Sequence, residues 1–488
     1  MSMEALLWSH DATGLAELVR KGEIEPRELV DAAIARAEKV NPEINAIANP
    51  LFDKARQLAT RVDRQAPLAG VPFALKDLGT VWNGVPVHDG SRLPAMVPDR
   101  DSILMKRYLE AGLVPIATTT TPEQGLRLMT ESAAFGVTRN PWNTGHTSGG
   151  SSGGASSIVA AGIVPVANAS DGGGSIRVPA ACTGLVGLKP SRDLVDISPL
   201  MPSTWFGLFV QHVVSRSVRD SALLLDQSSG AAGRFAAAAA RKPGKLRLGL
   251  YQHSPLGLDV SPETLAAMET ARQLALDAGH EVEEIDLPMI GRAFMADFCR
   301  VVCASIAGIM HANAARLGRH PHGQLERSTR VVARFGDLLS AGEIYATLQR
   351  LHDASMDLLA HTAQYDAVLM PLIAHPPLPV GAMEAKGADE FTENLLDRLR
   401  LTRLLRVDAL FGQLMEKSLW FTHWPAMQNV TGQPAIALPV HVTADGLPLG
   451  IQAVGRPGDE ETLLSLAAQM EKQSGWLDRR APLMKPEG

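Results

Sequence analysis

The sequence predicts an α/β/α sandwich, with a mixed, mostly parallel central β-sheet covered by helices on both faces. The first observation behind this prediction is that short apolar runs of strand length alternate with helical patterns along the chain. This order is typical of sheets enclosed by helices. The second observation is size, since 488 residues, 45% of them hydrophobic, can bury a large core without disulfides or metals.

The helices are predicted from apolar spacing and from their end signals. Apolar residues recur at the spacing of one helical face from Leu29 to Ala37, and Pro26 suits a first turn. Ser261 is typical of a helix start, and Gly279 of a helix end. The predicted helices are two within 11–42, then 102–112, about 153–163 and 262–278.

The strands are predicted from short apolar or alternating runs. Residues 71–75 are apolar and end at Lys76, and residues 245–251 alternate like a strand. Residues 444–446, Ala-Asp-Gly, predict a hairpin turn. The predicted strands are 71–75, 114–117, 164–169, 245–251, 281–285, 367–371 and 435–439.

One domain is predicted to span residues 1–488. Its parts are an N-terminal helical segment (1–65), a catalytic core (66–225), a surface linker (226–245) and a helical, cap-like region (290–420) that would set substrate size. The linker is predicted because five alanines precede Lys-Pro-Gly there and the composition shifts. The cap is expected to be helical over 290–365 and about 388–418.

Composition and charge argue against several classes of partner. A net charge of −6 and a pI near 6.2 give no reason to expect nucleic acid or an anionic membrane as a partner. The longest apolar run, residues 155–169, is too short and too broken by Gly162 and Pro165 to span a bilayer. Three cysteines are too few for a disulfide framework. With no visible secretory signal, a cytoplasmic monomer or homodimer is expected.

Two glycine-rich segments carry the strongest functional signal. They read Gly149-Gly150-Ser151-Ser152-Gly153-Gly154 and, further along, Asp171-Gly172-Gly173-Gly174-Ser175-Ile176-Arg177. Glycine loses more conformational freedom on folding than any other residue. Such clusters are therefore typical of sites where backbone N–H groups crowd around a ligand or a reacting oxygen.

Together with Lys76, these segments predict a Ser-Ser-Lys hydrolase. A serine hydroxyl must lose its proton to a base as it attacks, and a lysine can be that base if burial keeps it neutral. Ser175 is the candidate nucleophile and Lys76 the candidate base. Ser151 is the candidate for passing protons between them, because hydroxyls donate and accept at once.

The glycines before Ser175 predict an oxyanion hole. Backbone N–H groups in such a turn can point toward one position, and each donor contributes about 2.7–4 kcal/mol to catalysis. Asp171 and Arg177 flank the turn and could pair to brace it, and Ser152 is expected to support the site. The predicted donors are Gly172, Gly173, Gly174 and Ser175.

The two segments resemble the core of the amidase signature family. The resemblance is strongest over residues 66–215 and weakest over 230–420. The N-terminal segment is similar to the branch that contains 6-aminohexanoate cyclic-dimer hydrolase and related enzymes acting on synthetic amides and urethanes. Further matching segments are Arg139–Asn143, Gly184–Ser191 and Thr431–Ile436.

This resemblance implies the fold of the family, Ser175 as nucleophile, Ser151 on a cis peptide as the bridging serine, and Lys76 as the ultimate base. It implies no cofactor and no metal. Most members of the family carry Thr, Ile or Ala where this chain has Gly172. The extra glycine is expected to loosen the oxyanion turn or to open room beside the acyl group.

Other interpretations of the glycine-rich segments stay open. Such a loop can be a plain turn or linker, or a phosphate-binding loop, although the lysine expected after Gly154 is missing. The first segment also fits Gly-x-Ser-x-Gly, which would make Ser152 the nucleophile with a histidine partner. His311, His320 and His322 lack the carboxylate or cysteine spacing of a metal site.

The predicted function is hydrolysis of a C–N bond in a small-molecule amide, such as an oligoamide, an anilide or a carbamate, through an acyl-enzyme on Ser175. Two alternatives are a glutamine-hydrolysing subunit of a tRNA-dependent amidotransferase and a non-catalytic binding module on the same fold. Activity is expected to be higher at alkaline pH, because the lysine must be neutral to act as a base.

Substrate contacts are predicted in two places. The loop from Ser198 to Gln211 follows the catalytic core and is the candidate for the acyl-side wall. A second set of contacts is expected just before the first glycine cluster. The candidate side chains are Trp205, Phe206 and Phe209 in the loop, and Thr147 and Ser148 before the cluster.

Overall fold

The computed structural model describes residues 3–199, 204–384, 386, 394, 397, 398 and 401–484. The strands are β1 (Ile47–Pro50), β2 (Pro72–Lys76), β3 (Val114–Thr119), β4 (Glu131–Ser132), β5 (Gly136–Val137), β6 (Arg139–Asn140), β7 (Asn143–Thr147), β8 (Val166–Asp171), β9 (Val186–Lys189), β10 (Val210–Ser215), β11 (Arg247–Leu250), β12 (Glu281–Glu284), β13 (Ala367–Pro371), β14 (Ala435–Val442) and β15 (Pro448–Gly455).

The helices surround these strands in sequence and in space. They are α1 (Met3–Ser9), α2 (Ala12–Arg20), α3 (Pro26–Ile44), α4 (Phe52–Ala59), α5 (Ile103–Glu110), α6 (Gly153–Ala160), α7 (Arg177–Thr183), α8 (Val218–Ser229), α9 (Arg234–Ala240), α10 (Pro262–Asp277), α11 (Arg292–Leu317), α12 (Arg327–Gly336), α13 (Ala341–Thr362), α14 (Asp408–Leu419), α15 (Ala426–Thr431) and α16 (Glu460–Ser474).

Eleven of the strands form one sheet, in the order β1-β3-β2-β8-β10-β9-β14-β15-β13-β11-β12. The sheet is mixed, as predicted. The expectation that it is mostly parallel was wrong, because among the described strands four neighbouring pairs are parallel and six are antiparallel.

Three of the antiparallel pairs have a local origin, two from a strand that lies between two parallel strands and one from a hairpin. β8 and β9 run in the same direction on either side of α7, as in a crossover unit, but β10 lies between them and runs the opposite way. β14 and β15 are antiparallel neighbours joined by the turn predicted at residues 444–446. The sequence pattern locates such strands but contains no signal for their order across the sheet.

Helices cover both faces of the sheet. One series of contacting helices consists of α3, α6 and α7, and another consists of α5, α8, α16 and α10. β2 and β8 lie between these layers and are buried along their whole length. They are parallel neighbours, so their last residues, Lys76 and Asp171, emerge at the same edge of the sheet.

The predicted surface linker at residues 226–245 was wrong. Those residues include the end of α8 and the whole of α9, which packs against α8 and α16. Phe235 is fully buried, and the Asp226 carboxylate accepts the backbone N–H groups of Phe235 and Ala236 at 2.9 and 2.8 Å. The irregular, largely exposed connection before β11 is therefore shorter than predicted, residues 241–246.

The region 290–420 is mainly helical in its described part, with α11, α13 and α14 contributing to a second apolar cluster and α12 to two smaller ones. Part of the predicted helical stretch 388–418 lies outside the described residues. Within the described chain, α11 is the one helix long and apolar enough to cross a bilayer, and half of its apolar window is buried inside the protein. The N-terminal segment 1–65 contains the edge strand β1 as well as α1–α4.

Candidate active site

Lys76 lies at the end of β2 with only 1% of its surface exposed. Its Nζ atom is 2.8 Å from Ser151 Oγ and 2.9 Å from Ser170 Oγ. The side-chain amino group therefore contacts two hydroxyls and is shielded from solvent. Ser170 was not predicted as a site residue, although its place beside Asp171 in a buried strand is a signal that could have found it.

The electrostatic setting of Lys76 favours the neutral amine. Burial penalises the charged form and lowers the pKa of Lys76 from 10.5 to about 7, although the charge of Asp171 acts the other way. Asp77, the next residue, is engaged elsewhere, because its carboxylate accepts the backbone N–H of His88 at 3.1 Å. A substantial fraction of Lys76 is therefore available as a base near neutral pH.

The first glycine-rich segment brings Ser151 to this lysine, and the second places Ser175 beside the first. Ser151 follows a cis peptide bond from Gly150 and lies just before α6, whereas Ser175 lies just before α7. The backbone N–H of Ser152 donates to the carbonyl oxygen of Ser175 at 3.3 Å and fastens the two segments together. Within the described chain, the Ser175 hydroxyl itself has no hydrogen-bond partner, and Ser175 is 6% exposed.

Ser152 has a bracing geometry that does not fit the alternative role of nucleophile. Its side chain is fully buried, and its hydroxyl contacts the backbone of Ser170, donating to the carbonyl oxygen and accepting the N–H, both at 3.3 Å. A hydroxyl held in this way cannot reach a substrate. The Gly-x-Ser-x-Gly interpretation is therefore not supported.

Asp171 and Arg177 form a buried ion pair under the turn that carries Ser175. The guanidinium donates to both carboxylate oxygens, at 2.9 and 3.0 Å. Burial alone would raise the pKa of Asp171, but the charge and hydrogen bonds of Arg177 lower it to about 2. Distant side chains and one carbonyl add further contacts to this ion pair, from Pro425, Gln428, Asn429 and Gln452.

These contacts join the C-terminal part of the chain to the turn. Asn429 donates to the Asp171 carbonyl and carboxylate oxygens, at 3.0 and 2.9 Å, and to the carbonyl oxygen of Leu208. The roles of Asn429, Gln428 and Gln452 were not predicted. No short motif connects them to Asp171, since they lie more than 250 residues away along the chain.

The oxyanion turn differs from the prediction at one donor. The N–H of Gly174 donates to Asp171 Oδ1 at 2.7 Å, so it is not available to a substrate oxygen. The same carboxylate also accepts the N–H of Ile176 at 3.2 Å. In the described part of the chain, the N–H groups of Gly172, Gly173 and Ser175 have no acceptor and remain the candidates.

Two aromatic side chains stand directly against the turn. A Cβ atom added to Gly172 would lie 2.8 Å from Cε3 of Trp205, and one added to Gly173 would lie 2.9 Å from Cζ of Phe298. Real Cβ atoms do not make contacts this short. A side chain at either position would therefore force the aromatic ring beside it to move.

The other predicted substrate contacts are placed less favourably. Thr147 and Ser148 are fully buried, and the Thr147 hydroxyl accepts the N–H of Gly149 at 3.1 Å. They brace the loop before the first glycine cluster, and their contact with substrate stays a prediction. Phe209 packs on Gly79, and Phe206 is 40% exposed. Part of the predicted wall, residues 200–203, lies outside the described residues.

No group of three or more His, Cys, Asp or Glu side chains is placed to hold a metal ion in the described residues. The rings of His320 and His322 stack at 3.6 Å between centroids, and His311 contacts Asp337 at 2.8 Å. This arrangement gives the three histidines roles in local packing.

Comparison with known proteins points to one family. The family model described as amidase matches residues 28–464. The 6-aminohexanoate-cyclic-dimer hydrolase of Pseudomonas sp. (strain NK87) is 35% identical over 501 aligned positions, which cover 98% of each chain.

Solved structures give the same result. A structure of 6-aminohexanoate cyclic dimer hydrolase superposes with a TM-score of 0.87 and 33% identity, over 98% of this chain and 99% of that one. A bacterial aryl acylamidase of the amidase signature family superposes with a TM-score of 0.81 and 26% identity, over 98% and 99% of the two chains. The predicted resemblance is confirmed, and so is the predicted fold of a mixed sheet flanked by helices.

Proposed function

Because the chain belongs to the amidase family, we propose that it hydrolyses the C–N bond of small-molecule amides through an acyl-enzyme on Ser175. Membership of the family makes it a hydrolase of the class that cleaves C–N bonds. The observation that carries the finer proposal is the 2.8 Å contact between Ser151 Oγ and a buried Lys76 amine. The residues of this proton path all come from one chain.

The first half of the proposed reaction begins with neutral Lys76. The amine accepts the proton of Ser151, and Ser151 accepts the proton of Ser175 as the Ser175 oxygen attacks the amide carbonyl carbon. The Ser175 hydroxyl has no competing hydrogen-bond partner within the described chain, and in this proposal it donates to Ser151. Ser170 Oγ, 2.9 Å from Nζ, accepts a hydrogen bond from the ammonium that forms.

The negative charge that develops on the carbonyl oxygen requires donors in the turn. The N–H groups of Gly172, Gly173 and Ser175 supply them in this proposal, while the Asp171–Arg177 pair keeps the turn rigid. The proton returns along the same path to the leaving nitrogen, and the amine departs. Water then attacks the ester carbon on Ser175 with the same base, and the acid is released.

The substrate class is tested by offering four compounds in parallel. They are a 4-nitroanilide, the 6-aminohexanoate cyclic dimer, an aryl carbamate and glutamine. We expect release of acid and 4-nitroaniline from the anilide, or opening of the cyclic dimer to the linear dimer, and no ammonia release from glutamine, because the similarity to a cyclic-dimer hydrolase extends over 98% of both chains. Ammonia release from glutamine alone would contradict the proposal. The Ser175→Ala protein, prepared identically, controls for contaminating hydrolases.

A further inference from the structure

Trp205 occupies the space that a side chain on the oxyanion turn would fill. The six-membered part of its indole faces Gly172, with ring atoms Cε3 and Cζ3 at 2.8 and 3.1 Å from the position of a Cβ there. A Cβ lies about 2.5 Å from its own backbone nitrogen. The ring is therefore within about 5 Å of the N–H group that would bind the substrate carbonyl oxygen.

This position places the indole beside the carbonyl carbon of a bound amide. A substrate carbonyl oxygen bound by this N–H group lies about 2.9 Å from the donor nitrogen. The next substrate atoms to contact the indole are therefore those bonded to the carbonyl carbon. Phe298 covers Gly173 in the same way but is only 5% exposed. Trp205, which is partly exposed, is the wall that a substrate can touch.

The protein holds this indole in a fixed place. Trp205 packs against two apolar clusters, one containing Phe298 and the other containing Ile306 and Met310 of α11. Trp205 and Phe206 both have positive φ angles, 51° and 53°, a region that residues other than glycine rarely occupy. This backbone turns the indole toward Gly172 while Phe206 is directed to solvent.

From this geometry we propose that Trp205 determines the acyl specificity of the site, by excluding acyl groups branched at the carbon next to the carbonyl. The substrates are then amides of unbranched acyl groups. The inference rests on the proposed function, since it concerns the same oxyanion turn. One misplaced methyl group at a close wall changes kcat/KM by about tenfold or more.

Two isomeric substrates test the inference, the 4-nitroanilides of butanoic acid and of 2-methylpropanoic acid. The wild-type protein is expected to favour the unbranched isomer in kcat/KM by about tenfold or more, and Trp205→Ala to reduce that ratio about tenfold. Trp205→Phe, which keeps a smaller ring, is expected to give an intermediate ratio. Gly172→Ala is expected to lower activity on both isomers in the wild-type background and to be tolerated when combined with Trp205→Ala.

Trp142 offers a matched control, because it packs on a glycine away from the turn. Its ring lies 3.2 Å from the position of a Cβ on Gly184, and Trp142→Ala is expected to leave the isomer ratio unchanged. The inference is overturned, and the proposed function is not, if the isomer ratio is unchanged in active Trp205→Ala and Trp205→Phe proteins. A shift of the ratio in Trp142→Ala equal to that in Trp205→Ala has the same consequence. Failure of the wild-type protein to hydrolyse any amide overturns the proposed function as well.

Discussion

Replacement of Ser175 by alanine is expected to lower kcat by about 10⁶-fold while the protein stays folded. The substitution removes the oxygen that forms the acyl-enzyme and leaves nothing able to replace it. Ser175 is 6% exposed and its hydroxyl makes no hydrogen bond within the described chain, so folding loses almost nothing. Steady-state rates on the hydrolysed amide, with circular dichroism on the same sample, provide the measurement.

The neighbouring serine gives the matched control for this variant. Ser152→Ala removes a buried hydroxyl that contacts only backbone, and its rate should fall far less. Acid-quenched mass spectrometry should also find the acyl group on Ser175. Trypsin leaves Ser151, Ser152 and Ser175 on one peptide, residues 140–177, so the peptide must be fragmented. Acylation of Ser152 would reverse the assignment.

Replacement of Lys76 by methionine is expected to lower kcat/KM by about 10²–10⁴-fold. Methionine is close to lysine in length but cannot accept a proton, so Ser151 loses the base that its hydroxyl contacts. The rate on the same amide, measured across pH 6 to 10, shows whether any other group substitutes. Retention of wild-type activity would exclude Lys76 as the base.

The stability of this variant separates a chemical defect from misfolding. Folding lowers the pKa of Lys76, so the burial of its charged form lowers the free energy of unfolding below pH 7. This destabilisation declines as pH rises from about 7 toward 10.5. Lys76→Met removes this cost but also two hydrogen bonds. We therefore expect a cooperative thermal transition, and a stability that rises less steeply with pH between 7 and 10 than in the wild-type protein.

The sequence was sufficient for the parts of the site that are local in the chain. Lys76 follows an apolar run, and both serines stand within glycine clusters, so their residue types and spacing predict their meeting. The ends of β2, α5, β3 and β8 also lie within a few residues of the predicted ends. These features depend on short-range periodicity and turn chemistry, which a single sequence contains.

The remaining features depend on contacts between distant segments. The Gly174 donor is lost because Asp171 accepts its N–H, and the support of Arg177 by Gln452 spans 275 positions. The contact of Trp205 with Gly172 requires a positive φ at a tryptophan, which no propensity predicts. The supposed linker at 226–245 was wrong for the same reason, since Phe235 is buried by helices from elsewhere in the chain.

The pH dependence of kcat/KM is the most direct test of whether a neutral amine at residue 76 starts the reaction. We expect the rate to rise with pH and to level off, with an apparent pKa near 7 that matches the lowered pKa of Lys76. Ser170→Ala removes a hydrogen-bond acceptor of the ammonium and should shift the rise in kcat/KM to lower pH. A value of kcat/KM that is maximal near pH 5, or a rise in kcat/KM that Ser170→Ala shifts to higher pH, would contradict the account.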